Sequence, residues 1–264
     1  MRLFFREYGS NVDKIIVIIH GLYGSSDNWH SIARELAKEY KVIVPDLPNH
    51  GRSPHYRRFD YDFLVQEVKL FLNSLKIKNA YFIGHSLGGR IVLFIAHKYP
   101  DLVNKAVIVD IPPRNLTDEG FLYKAEHQRI IKALLSLNLT EFENRYMIAK
   151  ALRTIYGLSE RLVSFLLKNI VRENGIFRWR INLKAIAENL HIIGKGFENF
   201  LPSKLKMPIL FIKGEKSHYI NEQDIRFIKE NFPNAKVEVI PSAGHWLFVE
   251  QPDAFISLVR NFFG

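Results

Sequence analysis

The sequence predicts an α/β protein: a mainly parallel sheet flanked by helices, with a helical insertion late in the chain. Three observations carry this. Short apolar runs alternate with helical patterns over the first 110 residues, the strand rhythm stops after Asp110, and it returns at Pro208. With 264 residues, 47% hydrophobic and 24% charged, the chain can cover such a sheet on both faces and has the composition of an ordered globular domain.

Residues 14–19 (KIIVII) are β-branched and apolar on both parities, the mark of a strand covered on both sides. Residues 42–44, 80–83 and 106–109 repeat that pattern. Between them, Leu64, Val68, Phe71, Leu72 and Leu75 fall on one helical face, and residues 91–96 are apolar all round, as in a helix packed deep against a sheet. Strand–helix alternation implies right-handed crossovers and parallel pairing. From Ile111-Pro112-Pro113 to about Leu201-Pro202 the chain reads as consecutive helices. Leu162, Val163, Leu166, Leu167 and Ile170 form one stripe, Ile131, Leu134 and Leu135 belong to another, and residues 176–180 are the extended exception. Strands follow at 208–212 and 236–240, then a helix with Phe255, Leu258, Val259 and Phe262 on one face. The expected organisation is a core of residues 1–111 and 203–264 with a helical cap inserted at 112–202.

Lys and Arg number 37 against 27 Asp and Glu, a net charge of +10. The basic residues are scattered among acids, the tightest cluster being residues 55–58 (HYRR). A solvated surface is expected, with no nucleic acid as partner. The sequence has no cysteine, which excludes disulfides, zinc-thiolate sites, iron–sulfur clusters and a cysteine nucleophile, and fits a reducing compartment. The first residues lack the apolar stretch of a signal peptide, and no apolar run approaches the ~20 residues needed to span a bilayer. A cytoplasmic protein without membrane attachment is expected.

Residues 84–88 (GHSLG) lie directly between a strand and a helix. This is the context of a nucleophile elbow: Ser86 stands on a tight turn, and Gly84 and Gly88 leave room for the neighbouring strand and helix. The helix that begins here aims free N–H groups at the reacting centre. Residues 20–26 (HGLYGSS) follow the first predicted strand. An acyl-transfer site needs two backbone donors for the oxyanion, and Leu87 and Leu22 are the candidates; read alone, the stretch is equally a strand-to-helix turn with Asp27 as N-cap. Where a serine sits on such an elbow, its histidine follows later in the chain. Of the ten histidines, His245, in the AGHW segment after the last strand, alone combines that order with that place. His20 and His50 read as structural, His85 should point away from Ser86, and His218 is a pocket candidate.

Taken together, HGLYGSSDNW (20–29), DLPNHGRS (46–53), GHSLGG (84–89), DIPP (110–113), FRWRINL (177–183) and GHW (244–246) resemble the α/β-hydrolase superfamily, within it the serine esterases of the YbfF and ABHD-eleven type. The resemblance spans nearly the whole chain. It implies the α/β-hydrolase fold, cleavage of small-molecule carboxylic esters or thioesters through an acyl-enzyme, a cap over the site, and no metal or organic cofactor. Many members carry the triad acid three residues past the glycine that ends the strand after the cap; Ser217 stands there. The acid is then Asp110, at the end of the strand before the cap, or Glu215 or Asp224. The resemblance favours Asp110, as does its place on a strand neighbouring that of Ser86. Tyr23, Phe177, Trp179, Tyr219 and Trp246 are candidates for the substrate-binding wall. A C–C bond hydrolase, a perhydrolase, an acyltransferase or a non-catalytic binding module would use the same scaffold.

Overall fold

The computed structural model describes residues 3–10, 13–116, 121–195, 200, 202 and 205–264, with the side chains of 121–124 excepted. Up to the insertion the elements are β1 (Phe5–Tyr8), β2 (Ile15–Ile19), α1 (His30–Leu36), β3 (Lys41–Pro45), α2 (Tyr61–Ser74), β4 (Ala80–His85), α3 (Leu87–Lys98) and β5 (Val103–Val109). The insertion holds α4 (Phe121–Ser136), α5 (Arg145–Thr154), α6 (Glu160–Leu166), β6 (Ile170–Glu173), β7 (Ile176–Trp179) and α7 (Leu183–Ile193). The chain returns with β8 (Ile209–Gly214), α8 (Glu222–Asn231), β9 (Ala235–Ile240), α9 (Leu247–Glu250) and α10 (Pro252–Phe263).

Seven strands form one sheet in the order β1-β3-β2-β4-β5-β8-β9. Every pairing is parallel except that of β1 with β3. Successive side chains of a strand point to opposite faces, and both faces here are apolar. Val17 and Ile19 of β2 join Phe82, Ala106 and Ile108 in one buried cluster with α2 and α3. Ile16 and Ile18 join Ile83, Val107 and Val109 in the other, with α1 and α10. There Trp29 stacks on Phe248 at 4.0 Å between ring centroids. A buried side chain of this size contributes about 1.5–3 kcal/mol by leaving water.

Two differences from the sequence reading have simple physical causes. Strand β1 was not expected: residues 5–8 (FREY) alternate no apolar face, because an antiparallel edge strand is covered only in part. The stripe assigned to one helix through Ile170 breaks at Leu166; a 3₁₀ turn follows, and Ile170 starts β6. Strands β6 and β7 pair around Asn174-Gly175, both at positive φ (49° and 81°), a hairpin turn of type I′. The cap boundary expected at Leu201-Pro202 falls at the edge of what is described, since residues 201 and 203 lie outside the described residues. Among the described residues, no helix is long and apolar enough to cross a membrane.

Both ends of the insertion are tied to α3 by one buried guanidinium. Arg90 donates to the carbonyls of Ile193 (2.9 Å), Arg114 (3.2 Å) and Lys195 (3.2 Å), beneath the ring of Tyr61, whose hydroxyl donates to Ile193 as well. Replacing Arg90 by leucine strands these carbonyls in a buried setting. Arg90→Leu is expected to lower unfolding free energy by about 2–4 kcal/mol in urea titration; a change within about 0.5 kcal/mol would mean that the clamp does not hold the insertion.

Candidate active site

Strand β4 delivers Ser86 into a strained turn. Its φ of 53° and ψ of −119° lie outside the ordinary regions, and its N–H donates to Val109 O at 3.0 Å. The turn exists because of the close approaches around it. A Cβ at Gly88 would meet the carbonyl oxygen of Ile19 at 2.1 Å, and one at Gly84 would meet that of Gly88 at 2.5 Å. Leu87 opens α3, where the first-turn N–H groups have no partners within the helix.

The loop after β2, which carries Leu22, is braced by two buried histidines. Nε2 of His20 accepts from Leu47 N at 2.9 Å, so Nδ1 carries the proton and donates to Gly21 O. Nε2 of His50 accepts from Tyr23 N at 3.2 Å, and its Nδ1 donates to Pro48 O. Asp46 accepts from Ser26 N and Arg52 N. Asp27 does not cap the turn that follows. Ser25 and Asn28 close that turn, and Asp27 faces Arg6, Arg52 and Arg180.

Beyond β9 the chain brings His245 to the same edge. Its Nδ1 lies 2.7 Å from Oδ2 of Asp110, a residue with no exposed surface at the end of β5. Asp110 is itself held at φ 51°, its N–H donating to Ile212 O. Its carboxylate also accepts from Gly214 N (3.2 Å) and from the hydroxyl of Ser217. Tyr219 stacks on the His245 ring at 3.9 Å. The other two acids are engaged elsewhere: Glu215 accepts from Ser242 N at 2.8 Å, and Asp224 pairs with Arg114 and accepts from Asn221 N.

Ser86 and His245 share a cavity of about 110 Å³ with Leu22 and with Tyr23, Tyr219 and Trp246 of the expected wall. Phe177 and Trp179 are not among its lining. Phe177 is buried in the hairpin under the Arg172 guanidinium, and Trp179 donates its indole N–H to Leu134 O, packing β7 against α4. The sequence reading missed what replaces them: Glu126, His127 and Ile130 from α4, and Leu162 and Phe165 from α6. Their spacing of three or four residues marks a helical face, but not the face that looks onto Ser86. His218 is exposed and outside the cavity. His85 also lines the cavity, its Nε2 donating to His245 O at 2.9 Å.

Four buried histidines here are held neutral, in each case by burial first. His20 is pushed down to about 4, His50 and His127 to about 3, and His85 well below the ordinary 6.5. The unfolded chain protonates these rings near pH 6.5, whereas the folded chain resists until far lower pH. Their contribution to stability is therefore complete above about pH 6.5 and is lost progressively as pH falls toward about 3. The urea midpoint is expected to fall steadily between about pH 7 and 5, above the range where most carboxylates titrate. His50→Gln should flatten that slope, and a midpoint independent of pH across this window contradicts the assignment.

A model of the α/β hydrolase fold family matches residues 14–252. The sn-1-specific diacylglycerol lipase ABHD11 of Danio rerio is 36% identical over 250 residues, covering 94% of this chain and 77% of that protein. Esterase YbfF of Escherichia coli is 33% identical over 248 residues, 94% of this chain and 92% of that one. A solved structure described as a marine microorganism esterase superposes with a TM-score of 0.93 at 40% identity, over 99% of both chains. The family match runs from just before β2 to the start of α10, taking in the elbow and the loops around it. The chain belongs to the α/β hydrolase family.

Proposed function

We propose that this protein hydrolyses small carboxylic esters or thioesters, with Ser86 as nucleophile, His245 as general base and acid, and Asp110 as the triad acid. The observation that carries the reading is the 2.7 Å contact between His245 Nδ1 and the buried carboxylate of Asp110, in a cavity shared with the strained Ser86. With Nδ1–H donating to Asp110, Nε2 is the nitrogen left to take a proton. The Ser86 hydroxyl passes its proton to Nε2 as Oγ bonds to the acyl carbon, and the carbonyl oxygen becomes an oxyanion held by the N–H groups of Leu22 and Leu87. Collapse breaks the bond to the leaving oxygen or sulfur, which departs with the proton from Nε2. Water, deprotonated by His245, then attacks the acyl-enzyme, releasing the carboxylic acid and restoring Ser86. Ser217 is a positioning residue in this scheme: its hydroxyl holds the Asp110 carboxylate. Residues 112–202 act as a cap, since α4 and α6 supply cavity walls.

Labelling with a fluorophosphonate probe tests the nucleophile directly, and Ser86→Ala should abolish it. Asp110→Asn should lower kcat on a p-nitrophenyl ester by about 10⁴-fold with the fold intact, as an acid-to-amide change does in serine proteases. Glu215→Gln and Asp224→Asn, matched for thermal stability, should stay within about tenfold of the parent. A large loss in Glu215→Gln with Asp110→Asn nearly active would place the acid on the wrong strand.

The cavity volume sets a second expectation. About 110 Å³ lies well below the roughly 300–1,000 Å³ of drug-sized ligand sites, so a short acyl chain is expected. Comparing kcat/KM across p-nitrophenyl esters should give a maximum at two to four carbons, and Phe165→Ala should shift it to longer chains. A maximum at eight carbons or more in the parent protein contradicts an acyl site of this size.

A further inference from the structure

A second cavity, of about 650 Å³, opens on the surface where the hairpin β6–β7 meets the loops after β2 and β3. Its volume lies within the range of small-molecule sites. Five cations line it, Arg52, Arg145, Lys168, Arg172 and Arg180, against two carboxylates, Asp27 and Glu173. The excess of charge is not relieved by ion pairing. Asp27 faces three guanidiniums at once: Arg6 directly, Arg52 at 3.6 Å and Arg180 at 3.7 Å. Burial first, and then the neighbouring Arg52, pulls the Arg180 guanidinium below its ordinary value.

Two of the guanidiniums are also anchored to backbone carbonyls. Arg145 donates to Ile170 O at 2.7 Å, and Arg172 donates to Gly175 O at 3.0 Å while lying over the Phe177 ring. One anchoring bond leaves most of a five-donor fork available. Several guanidiniums lining one concave surface suit the oxygens of phosphate, which accept two parallel N–H bonds from each fork. A terminal phosphate carries about −1.5 to −2 near neutral pH, so a ligand with more than one phosphate offsets the excess of three cations in the lining.

We propose that this cleft binds the phosphate groups of a multiply charged phosphate ligand, apart from the cavity that holds Ser86. The two sites share a wall. Lys168 and Ile170 flank Asn169, whose side-chain amide donates to Tyr23 O at 2.6 Å, and Tyr23 lines the cavity of Ser86. The phosphate belongs either to the leaving group of the ester or to a separate ligand, and one set of measurements distinguishes these sources.

Inorganic pyrophosphate is titrated calorimetrically into the full-length protein at low ionic strength, with sulfate at equal ionic strength as the comparison. Saturable binding of one pyrophosphate is expected, with sulfate at least tenfold weaker. Arg145→Gln and Arg180→Gln should each weaken binding about tenfold or more. Asp27→Asn, which removes the competing carboxylate, should strengthen it. Lys132→Gln, on α4 outside the cleft, should leave it unchanged, as should Ser86→Ala, so binding is read independently of hydrolysis. Thermal unfolding of each variant shows whether it is folded. If pyrophosphate competes with an acetyl ester that carries a phosphate on its alcohol, and spares p-nitrophenyl acetate, the site takes the substrate's own phosphate. If it does not compete with the phosphorylated ester, the ligand is separate. Absence of saturable binding, or equal affinity in the parent, Arg145→Gln, Arg180→Gln and Asp27→Asn proteins, overturns the proposal.

Discussion

A carboxylate with no accessible surface must be met by hydrogen-bond donors or lose its charge, and Asp110 draws its donors from three separate stretches of chain. Gly214 N comes from the end of β8, the Ser217 hydroxyl from the loop beyond it, and His245 Nδ1 from the loop after β9. The carboxylate has little freedom of its own. Its backbone is fixed in the left-handed region, with the N–H bonded to Ile212 across the sheet. The two later loops must therefore come to it. Their own contacts make this feasible: Ser242, at φ 59°, donates to Glu215, and Gly244 donates to Glu250, so each residue flanking the turn to His245 has a carboxylate acceptor. Ser217 accepts from Tyr219 N while it donates to Asp110, and the Tyr219 ring comes to lie flat on the imidazole.

The opposite wall is built without exposed charge. The loop carrying Leu22 and Tyr23 is held by neutral imidazoles that each accept from one backbone N–H, and by the amide of Asn169. Asn169 comes from the insertion, so the conformation of this loop depends on where the insertion docks. Arg90 fixes that docking from the helix that Ser86 itself caps. Ser86 and the insertion are thus joined through one helix, and the insertion and the loop through Asn169, in each case by hydrogen bonds from a side chain to backbone carbonyls.

The strands that build this site were legible in the sequence because burial on both faces leaves runs such as residues 14–19 apolar on both parities. Strand β1 left no such trace, with Arg6 and Glu7 among its four residues. Ile170 was misread for a different reason: its spacing from Leu166 and Leu167 continues a helical stripe, and the Asn174-Gly175 turn that reverses the chain lies outside that stripe. Within the site, Ser86 and His245 stood out by their flanking elements. Among the acids, the sequence favours Asp110 and leaves Glu215 and Asp224 open, because strand order does not say where each side chain goes. Phe177 and Trp179 are aromatic residues of the insertion, yet the cavity uses Leu162 and Phe165, since which helix face turns inward is decided by tertiary packing.

Ser217 gives the arrangement its logic. Strands β5 and β8 are neighbours, so their ends lie one strand spacing apart, about 4.8 Å, and each can reach the ring that enters from the end of β9. An Asp at 217 beside Asp110 would set two carboxylates against a single imidazole. Like charges that close cannot both ionise freely, and one would take up a proton. A serine at 217 keeps a single charge in the pair and turns the second position into a donor, which lowers the cost of burying the first. A carboxylate at 110 and a hydroxyl at 217 are, on this argument, one arrangement and not two. The hydrogen bond that Ser217 donates to Asp110 is its physical expression.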